Sequence, residues 1–139
     1  MIVYILLTMS LTALMLWAFF TAQRLNRLHI RTDSALQSLQ AALDRRAAVV
    51  TAILPEAAAL ASAAESVPLT STSFRARASV ERSLTERISA LESQLSSQAA
   101  ALLSDSTTRV QLARRFYNDA VSDTRALRTR PLVRTLRLG

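Results

Sequence analysis

The chain lacks cysteine and lysine, and it has one glycine, three prolines and one histidine among its 139 residues. Without cysteine, disulfides, thiolate nucleophiles and cysteine-ligated zinc sites are excluded, and a single histidine cannot assemble a histidine-based metal cluster. Aromatic residues make up only 5% of the chain, which disfavours a β-sheet. These absences exclude most enzyme classes that short motifs identify. We therefore expect no catalytic residue, no cofactor and no metal site.

Alanine and leucine together supply 47 of the 139 residues, and both favour helices. All 17 basic residues are arginine and stand against 10 acidic residues, so the net charge is +7. None of these charges lies in the first 23 residues. The composition therefore predicts an all-α protein whose basic character follows an uncharged N-terminal segment.

The N-terminal segment Ile2–Ala22 has 21 residues without a charge. As an α-helix it would rise roughly 32 Å, which matches the hydrocarbon core of a bilayer. Trp17, Phe19 and Phe20 lie near its C-terminal end, where an aromatic belt would sit. A cleaved signal peptide would have a basic n-region, a core of about 7 to 15 residues and an A-x-A-like site, and this segment has none of them. We predict an uncleaved transmembrane anchor over residues 1–23.

Basic residues flank the anchor on one side only. Arg24, Arg27 and Arg31 follow the segment, and no arginine precedes it. The positive-inside rule then places the N-terminus outside and the C-terminus in the cytoplasm. The sequence predicts a single-pass protein of the cell membrane.

Beyond the anchor, apolar or small residues recur every three or four positions, as in amphipathic helices. Three such stripes are present: Leu25, Leu28, Thr32, Ala35, Leu39, Ala42, Arg46, Val49 and Ile53; Val80, Leu84, Ile88, Leu91, Leu95 and Leu102; and Val110, Ala113, Tyr117, Ala120, Thr124 and Leu127. Helices of similar length joined by short links pack antiparallel. We predict an antiparallel three- or four-helix bundle over residues 24–129, followed by a basic tail at 130–139.

Three features predict where these helices end. Pro55 is expected either to kink the first helix or to make it restart, with the kink preferred, because proline removes a backbone donor. The segment VPLTSTS at 67–73 is expected to form the main loop and to cap the next helix with a hydroxyl. Ser104–Ser106 is expected to separate the second stripe from the third.

Two stretches share a recognisable pattern. Residues 26–55 contain an asparagine, a Val/Ala-rich stripe, a Leu-x-Arg-Arg step at 43–46 and Pro55. Residues 109–121 combine an apolar residue, Ala-Arg, Tyr-Asn and valine, at Val110, Ala113, Arg114, Tyr117, Asn118 and Val121. Together these stretches resemble the LemA family, although Thr107 stands where that family usually has an acid. The resemblance implies an outward N-terminus, one transmembrane helix and a cytoplasmic helical bundle whose biochemical role is poorly defined.

Several polar residues have both a structural and a functional interpretation. Tyr117 can bury its ring and hydrogen-bond its hydroxyl internally, or it can form a ligand pocket with Arg114 and Asn118. His29 and Asp33, four residues apart, are expected to be solvated or to face lipid headgroups rather than to be catalytic. The carboxylates of Asp119 and Asp123 could hold a hard cation, but ion pairing, with Arg115 four residues before Asp119, is the expected role.

Two arginines lie in or beside the stripes, Arg46 and Arg87. Each is expected either to extend its guanidinium to the edge of the bundle or to pair with an acid across the interface, such as Glu92 or Asp119.

The C-terminal region carries the densest charge. Its arginines are Arg125, Arg128, Arg130, Arg134 and Arg137, with no acid among the last 15 residues. They could track anionic lipid headgroups or remain solvated. Binding to nucleic acid is disfavoured because no aromatic residue lies between them.

These features predict a membrane-anchored helical scaffold or adaptor, without catalytic activity, that presents a bundle surface to protein partners at a bacterial-type membrane. One alternative is a membrane-tethered stalk that homo-oligomerises as a coiled coil through its stripes. Another is a basic tether for nucleic acid or anionic lipid. Three wide stripes in one chain favour an intramolecular bundle over the stalk.

Overall fold

A computed structural model describes residues 1–128, together with all of their side chains except those of Leu25, Leu127 and Arg128. The described residues contain helices and no strand, which confirms the predicted all-α class. The elements are α1 (Ile2–Ile53), a 3₁₀ turn (Pro55–Ala57), α2 (Ala58–Ser66), α3 (Phe74–Leu91), a second 3₁₀ turn (Glu92–Gln94) and α4 (Ser97–Arg128).

The chain divides into two compact units. One unit comprises Met1–Asp33 with the described part of Asp119–Gly139, and the other comprises Ser34–Asn118. We call them the N-terminal unit and the core unit. The core unit contains α2, α3 and the adjoining portions of α1 and α4.

In the N-terminal unit, the first turns of α1 are apolar and uncovered. Nearly every side chain from Ile2 to Ala22 is exposed, and Trp17, the least exposed of the large apolar ones, is still 42% accessible. Thr8 and Thr12 donate their hydroxyls to carbonyls of the preceding turn, so these polar groups are satisfied within the helix. Among the described residues, α1 is the one helix long and apolar enough to cross a membrane.

The same unit also joins α1 to α4. Arg31 forms an ion pair with Asp123 at 3.1 Å, and the hydroxyls of Thr32 and Thr124 lie 3.1 Å apart. Asp123 therefore pairs across two helices rather than with a neighbour on its own helix. The other two arginines that follow the predicted anchor, Arg24 and Arg27, are exposed.

Pro55 ends α1, so the preferred kink is wrong, and the helix restarts as in the alternative prediction. Leu54, which precedes the proline, adopts φ −133° and ψ 79°, outside the helical region. This conformation follows from the clash between a proline ring and the residue before it. The chain restarts through the 3₁₀ turn into α2, where Ala57, Ala61 and Ala64 are completely buried.

The predicted loop at 67–73 is confirmed, but its predicted capping role is not. The hydroxyls of Thr70 and Ser73 lie 2.6 Å apart, and Ser73 also donates its hydroxyl to the carbonyl of Pro68. Ser73 is the residue before α3, yet it makes no side-chain cap bond to that helix. The hydroxyls of Thr70, Thr72 and Ser73 bond within the loop, so they stabilise the loop rather than the start of α3.

The break between the second and third stripes lies earlier than predicted. The chain leaves α3 at Leu91 and adopts an extended conformation at Leu95. The hydroxyl of Ser96 then accepts the backbone N–H of Ala99 at 3.2 Å, which is the geometry of an N-terminal helix cap. Ser104–Ser106 lies inside α4, where the Ser106 hydroxyl donates to a carbonyl of its own helix.

Two apolar clusters form the interior of the core unit. The larger contains Ala47, Val50, Leu54, Ala57, Ala61, Ala64, Leu84, Ile88, Leu91 and Leu103. The smaller contains Leu39, Leu43, Leu69 and Val110, with Leu36, Ala42, Ala113 and Tyr117 packed against it. From the smaller cluster to the larger, sequence position rises along α1 and falls along α4, so these helices run antiparallel.

Direct contacts show that α1 and α3 run parallel. Asp44 contacts Arg77, and Arg46 contacts Thr85, so sequence position rises along both helices. The reason is α2, which reverses the chain between them. Successive helices therefore alternate in direction, as a four-helix antiparallel bundle requires.

Candidate functional site

Arg77 is a buried arginine whose donors are used within the core unit. Its side chain is 1% exposed and extends from α3 toward α1. The guanidinium donates from Nε to Glu81 Oε1 at 3.0 Å, from Nη1 to the Val67 carbonyl at 2.8 Å and from Nη2 to Asp44 Oδ1 at 2.8 Å. These bonds join α1, the 67–73 loop and α3, so Arg77 is a structural residue.

Arg46 is buried beside it but is only partly satisfied. Its Nη2 donates to the Thr85 hydroxyl at 2.9 Å, and its Nη1 lies 3.6 Å from Glu81 Oε2. The Nε of Arg46 and the Oε2 of Glu81 are buried without a hydrogen-bond partner in the described structure. Such orphaned polar atoms are uncommon in native interiors and call for an explanation.

The surroundings of Arg46 also disfavour its charge. Burial lowers the pKa of the Arg46 guanidinium, the carboxylate of Glu81 partly opposes this, and the nearby positive charge of Arg114 lowers the pKa further. An arginine stays charged at any ordinary pH, so the result is a buried cation with too little compensating charge.

The partners predicted for the two stripe arginines are wrong. Arg46 meets Glu81 rather than Glu92 or Asp119, because it lies on the side of α1 that packs against α3. Arg87 forms a surface pair with Glu56 at 3.8 Å.

Arg46 and Arg77 both line a groove of about 500 Å³ in the core unit. The remaining lining residues come from α1, the 67–73 loop, α3 and α4: Leu39, Leu43, Leu69, Phe74, Ala78, Glu81, Arg82, Thr85, Thr107, Val110, Gln111, Arg114, Tyr117 and Asn118. We call this cavity the basic groove, because four arginines face one glutamate along its walls.

The basic groove is amphipathic. Leu39, Leu43 and Val110 supply a buried apolar floor, and the rings of Phe74 and Tyr117 stack at a centroid distance of 6.3 Å. Neutral hydrogen-bonding groups are contributed by Thr85, Thr107, Gln111, Tyr117 and Asn118. Such a combination of apolar surface, a few polar groups and fixed charge is typical of ligand-binding grooves.

The structure brings four of the six predicted signature residues to this groove. Val110 is buried in its floor, Tyr117 is half-buried, and Arg114 and Asn118 are exposed. The other two, Ala113 and Val121, are half-buried and do not line the groove; Ala113 packs on the smaller cluster, and Val121 belongs to the N-terminal unit.

Tyr117 differs from its structural prediction in one respect. Its ring packs on the smaller apolar cluster, as the stripe predicts. Its hydroxyl, however, makes no hydrogen bond with the described residues, so the predicted internal partner is absent. The cause is its place at the wall of the basic groove, where the side chain is only half-buried.

The other predicted polar sites remain separate. His29 and Asp33 are exposed, and no hydrogen bond or ion pair joins them in the described chain. Asp119 likewise forms no ion pair with Arg115 within residues 1–128. Over the same range no group of three or more histidine or acidic residues could hold a metal ion.

The predicted basic tail falls mostly beyond the structure. Arg125 is exposed. The side chain of Arg128 and all of Arg130, Arg134 and Arg137 lie outside the described residues, so the lipid-binding and solvated interpretations stay predictions.

Sequence reasoning identified Arg46 but missed the Arg77 cluster. The available signal was the spacing of Arg77 and Glu81, four residues apart on α3, which permits an ion pair on one helix face. The position of Asp44 relative to that pair depends on the direction of α3, which the sequence leaves open.

No protein-family model, curated protein or solved structure matches the chain significantly. The resemblance to the LemA family therefore remains a prediction from the two sequence stretches.

Proposed function

We propose that the protein is a single-pass, membrane-anchored helical adaptor of the LemA type, without catalytic activity, whose core unit binds a protein partner at the cytoplasmic face. The observation that carries this proposal is the basic groove, because it combines an apolar floor with a buried arginine that lacks a full set of partners. The groove is the feature of the core unit best suited to recognise another molecule.

The membrane anchor is supported by exposure as well as composition. The large apolar side chains of Ile2–Phe20 are uncovered. Leaving so many apolar side chains in water would be unfavourable by about 25 cal/mol for each Å². A bilayer would remove this cost, and it would tether the core unit close to the membrane surface.

A protein partner is supported by the chemistry of the groove walls. The hydroxyl and amide side chains of Thr107, Gln111 and Asn118 can exchange hydrogen bonds with the backbone of a bound peptide. Aromatic and arginine side chains, here Tyr117 and Arg114, are enriched where proteins bind one another.

Site-specific photocrosslinking in the native membrane tests this proposal. A photoreactive residue replaces Gln111, which lines the groove, and in a matched variant it replaces Asp105, which is exposed on α4 and does not line the groove. We expect a discrete protein adduct from position 111 and none from position 105. Equal adducts from both positions, or none from 111, would contradict an adaptor that uses this groove.

A second candidate function is self-association through the outer face of α4. Leu102, Leu112 and Phe116 are each at least 50% exposed, and they lie on the core-unit portion of that helix. This face could support the oligomeric stalk, although the predicted stripes of the core unit are largely buried within it. A photoreactive residue at Leu112 that yields only a dimer of this chain would favour self-association.

A further inference from the structure

The charge of the basic groove restricts what can occupy it. Four of its lining residues are arginines and one is a glutamate; Asp44 and Glu81 pair with Arg77, but the lining still has an excess of positive charge, so an occupant with a negative charge is favoured. The chain's own C-terminal tail is excluded on charge, because residues 125–139 carry five arginines and no acid. We therefore consider an external anionic group as the occupant.

The missing negative charge can be assigned to the surroundings of Arg46 and Arg114, which both line the groove. Arg46 is 7% exposed, and its Nε has no acceptor in the described structure. Arg114 lies close enough to lower the pKa of Arg46, and no acid forms an ion pair with it among residues 1–128. Arg46 and Arg114 line the same groove, and Glu81, the one acid among its lining residues, also accepts from Arg77, so the two cations favour one further carboxylate.

The groove also indicates what the anionic group is attached to. Beside the arginines, the floor of Leu39, Leu43 and Val110 offers an apolar surface. The polar walls carry Thr107 and Gln111, which can bond amide groups. A peptide supplies amides as well as side chains, whereas a lipid acyl chain supplies no hydrogen-bonding group for these walls.

We propose that the basic groove binds an acidic segment of the partner protein, with an aspartate or glutamate carboxylate between Arg46 and Arg114 and an adjacent apolar side chain on the floor. This assignment rests on the proposed adaptor function and specifies the chemistry of its ligand. The carboxylate would accept hydrogen bonds from guanidinium donors, and planar pairing of this kind favours arginine over lysine.

A peptide selection against the full-length chain tests the inference. The chain is placed in nanodiscs of phosphatidylcholine, which carry no net charge, and is used to select from a library of random twelve-residue peptides. We expect the selected peptides to share an aspartate or glutamate next to a leucine, isoleucine or phenylalanine. Selection of peptides without an acid would overturn the proposal.

The best peptide is then titrated against a pair of matched variants. Arg114→Gln removes a groove charge, and Arg115→Gln removes the same charge from the next residue, which does not line the groove. Both arginines are exposed, so neither substitution should prevent folding. We expect Arg114→Gln to weaken binding about tenfold, as for a lost charge-assisted hydrogen bond, and Arg115→Gln to change it less than about twofold.

A peptide in which glutamine replaces the acidic residue completes a double-mutant cycle with Arg114→Gln. Once its acid is replaced, Arg114→Gln should have no further effect on affinity, because the interaction is already lost. Equal weakening by Arg114→Gln and Arg115→Gln would assign the effect to general charge and overturn the site. If Arg114→Gln instead selectively lowers binding to vesicles that contain phosphatidylglycerol, the ligand is a lipid and the peptide assignment is wrong.

Failure of this inference differs from failure of the adaptor function. If position 111 yields a protein adduct but the crosslinked segment lacks an acid, the groove binds a partner by other chemistry and only the inference fails. If position 111 yields no protein adduct, the proposed function fails.

Discussion

Arg77 Nη2 lies 2.8 Å from Asp44 Oδ1 and joins α3 to α1 across 33 positions of sequence. The same guanidinium also holds Glu81 and the Val67 carbonyl. Its neighbour Arg46 shares Glu81 at 3.6 Å but keeps one donor without an acceptor. The two buried arginines thus have different roles. Each guanidinium nitrogen of Arg77 donates a hydrogen bond within the protein, whereas the Nε of Arg46 has no acceptor.

This difference predicts that the two arginines differ in how much stability is lost on substitution. Arg77→Met should lower the free energy of unfolding by about 3 kcal/mol, because it removes a buried cation that bonds three partly buried acceptors, at Glu81, Val67 and Asp44. Arg46→Met should cost less than about 1 kcal/mol, because it replaces a poorly compensated buried cation with an apolar side chain of similar length. Urea denaturation followed by circular dichroism measures both values. Equal losses would show that the two arginines have the same structural role.

The lowered pKa of Arg46 fixes the sign of its effect on stability. A cation whose pKa is lower in the folded state is less favourable there than in the unfolded chain, and the cost disappears only where the group deprotonates. Arginine does not deprotonate at accessible pH, so the cost is present throughout. The difference in unfolding free energy between the parent chain and Arg46→Met should therefore not shift through any titration of Arg46 between about pH 6 and pH 9.

A second prediction concerns the start of α4. Ser96→Ala removes the acceptor of the Ala99 N–H and should cost about 1 kcal/mol of stability. Ser104→Ala is the control, because this exposed hydroxyl inside α4 makes no described hydrogen bond. Thermal melts of the two variants should separate by a few degrees, with Ser96→Ala lower. A larger loss from Ser104→Ala would indicate that the helix begins later than Ser97.

The helix break at Ser96 explains how much of the fold was predictable. The third stripe from Val110 to Thr124 is buried or half-buried as predicted, because the spacing within one uninterrupted helix fixes its face. The second stripe fails at its last member: Leu102 is 50% exposed, and Leu103 is buried instead. The break changes the register between α3 and α4, and periodicity cannot show where a short break falls.

The candidate site was predictable only in part, for a related reason. Tyr117, Asn118 and Arg114 share a helix, so their proximity follows from spacing alone. The encounter of Arg46 with Glu81 depends on α1 and α3 running parallel, and that depends on the reversal through α2. The sequence predicts α2 as a continuation of a kinked first helix, whereas in the structure α2 reverses the chain and so allows α1 and α3 to form walls of the same groove.

A third prediction revises the role of Tyr117. Its ring is half-buried, so Tyr117→Ala should cost about 1 to 2 kcal/mol, below the 3 to 5 kcal/mol typical of a fully buried aromatic. Tyr117→Phe should change the free energy of unfolding by less than about 0.5 kcal/mol, because the hydroxyl has no described internal partner. A loss above about 1 kcal/mol for Tyr117→Phe would place that hydroxyl in a stabilising bond.

Tyr117→Phe also tests whether the hydroxyl contributes to stability or to ligand binding. If Tyr117→Phe leaves the melting temperature unchanged but reduces the adduct formed from position 111, the hydroxyl contacts the ligand and does not stabilise the fold.

Asp123→Ala is the stability reference in the N-terminal unit, since its exposed pair with Arg31 should contribute less than about 1 kcal/mol.

The last prediction concerns the anchor. The apolar segment Ile2–Ala22 should remain attached, and Gly139 should lie in the cytoplasm, because basic residues follow the segment and none precedes it. Arg24, Arg27 and Arg31 are all exposed, so their charges are available to act on topology. A C-terminal reporter that is active only outside the cytoplasm should give no signal. Moving Arg24 and Arg27 in front of Ile2 should produce signal in part of the population. Signal from the unaltered chain would reverse the orientation and place the basic groove outside the cell.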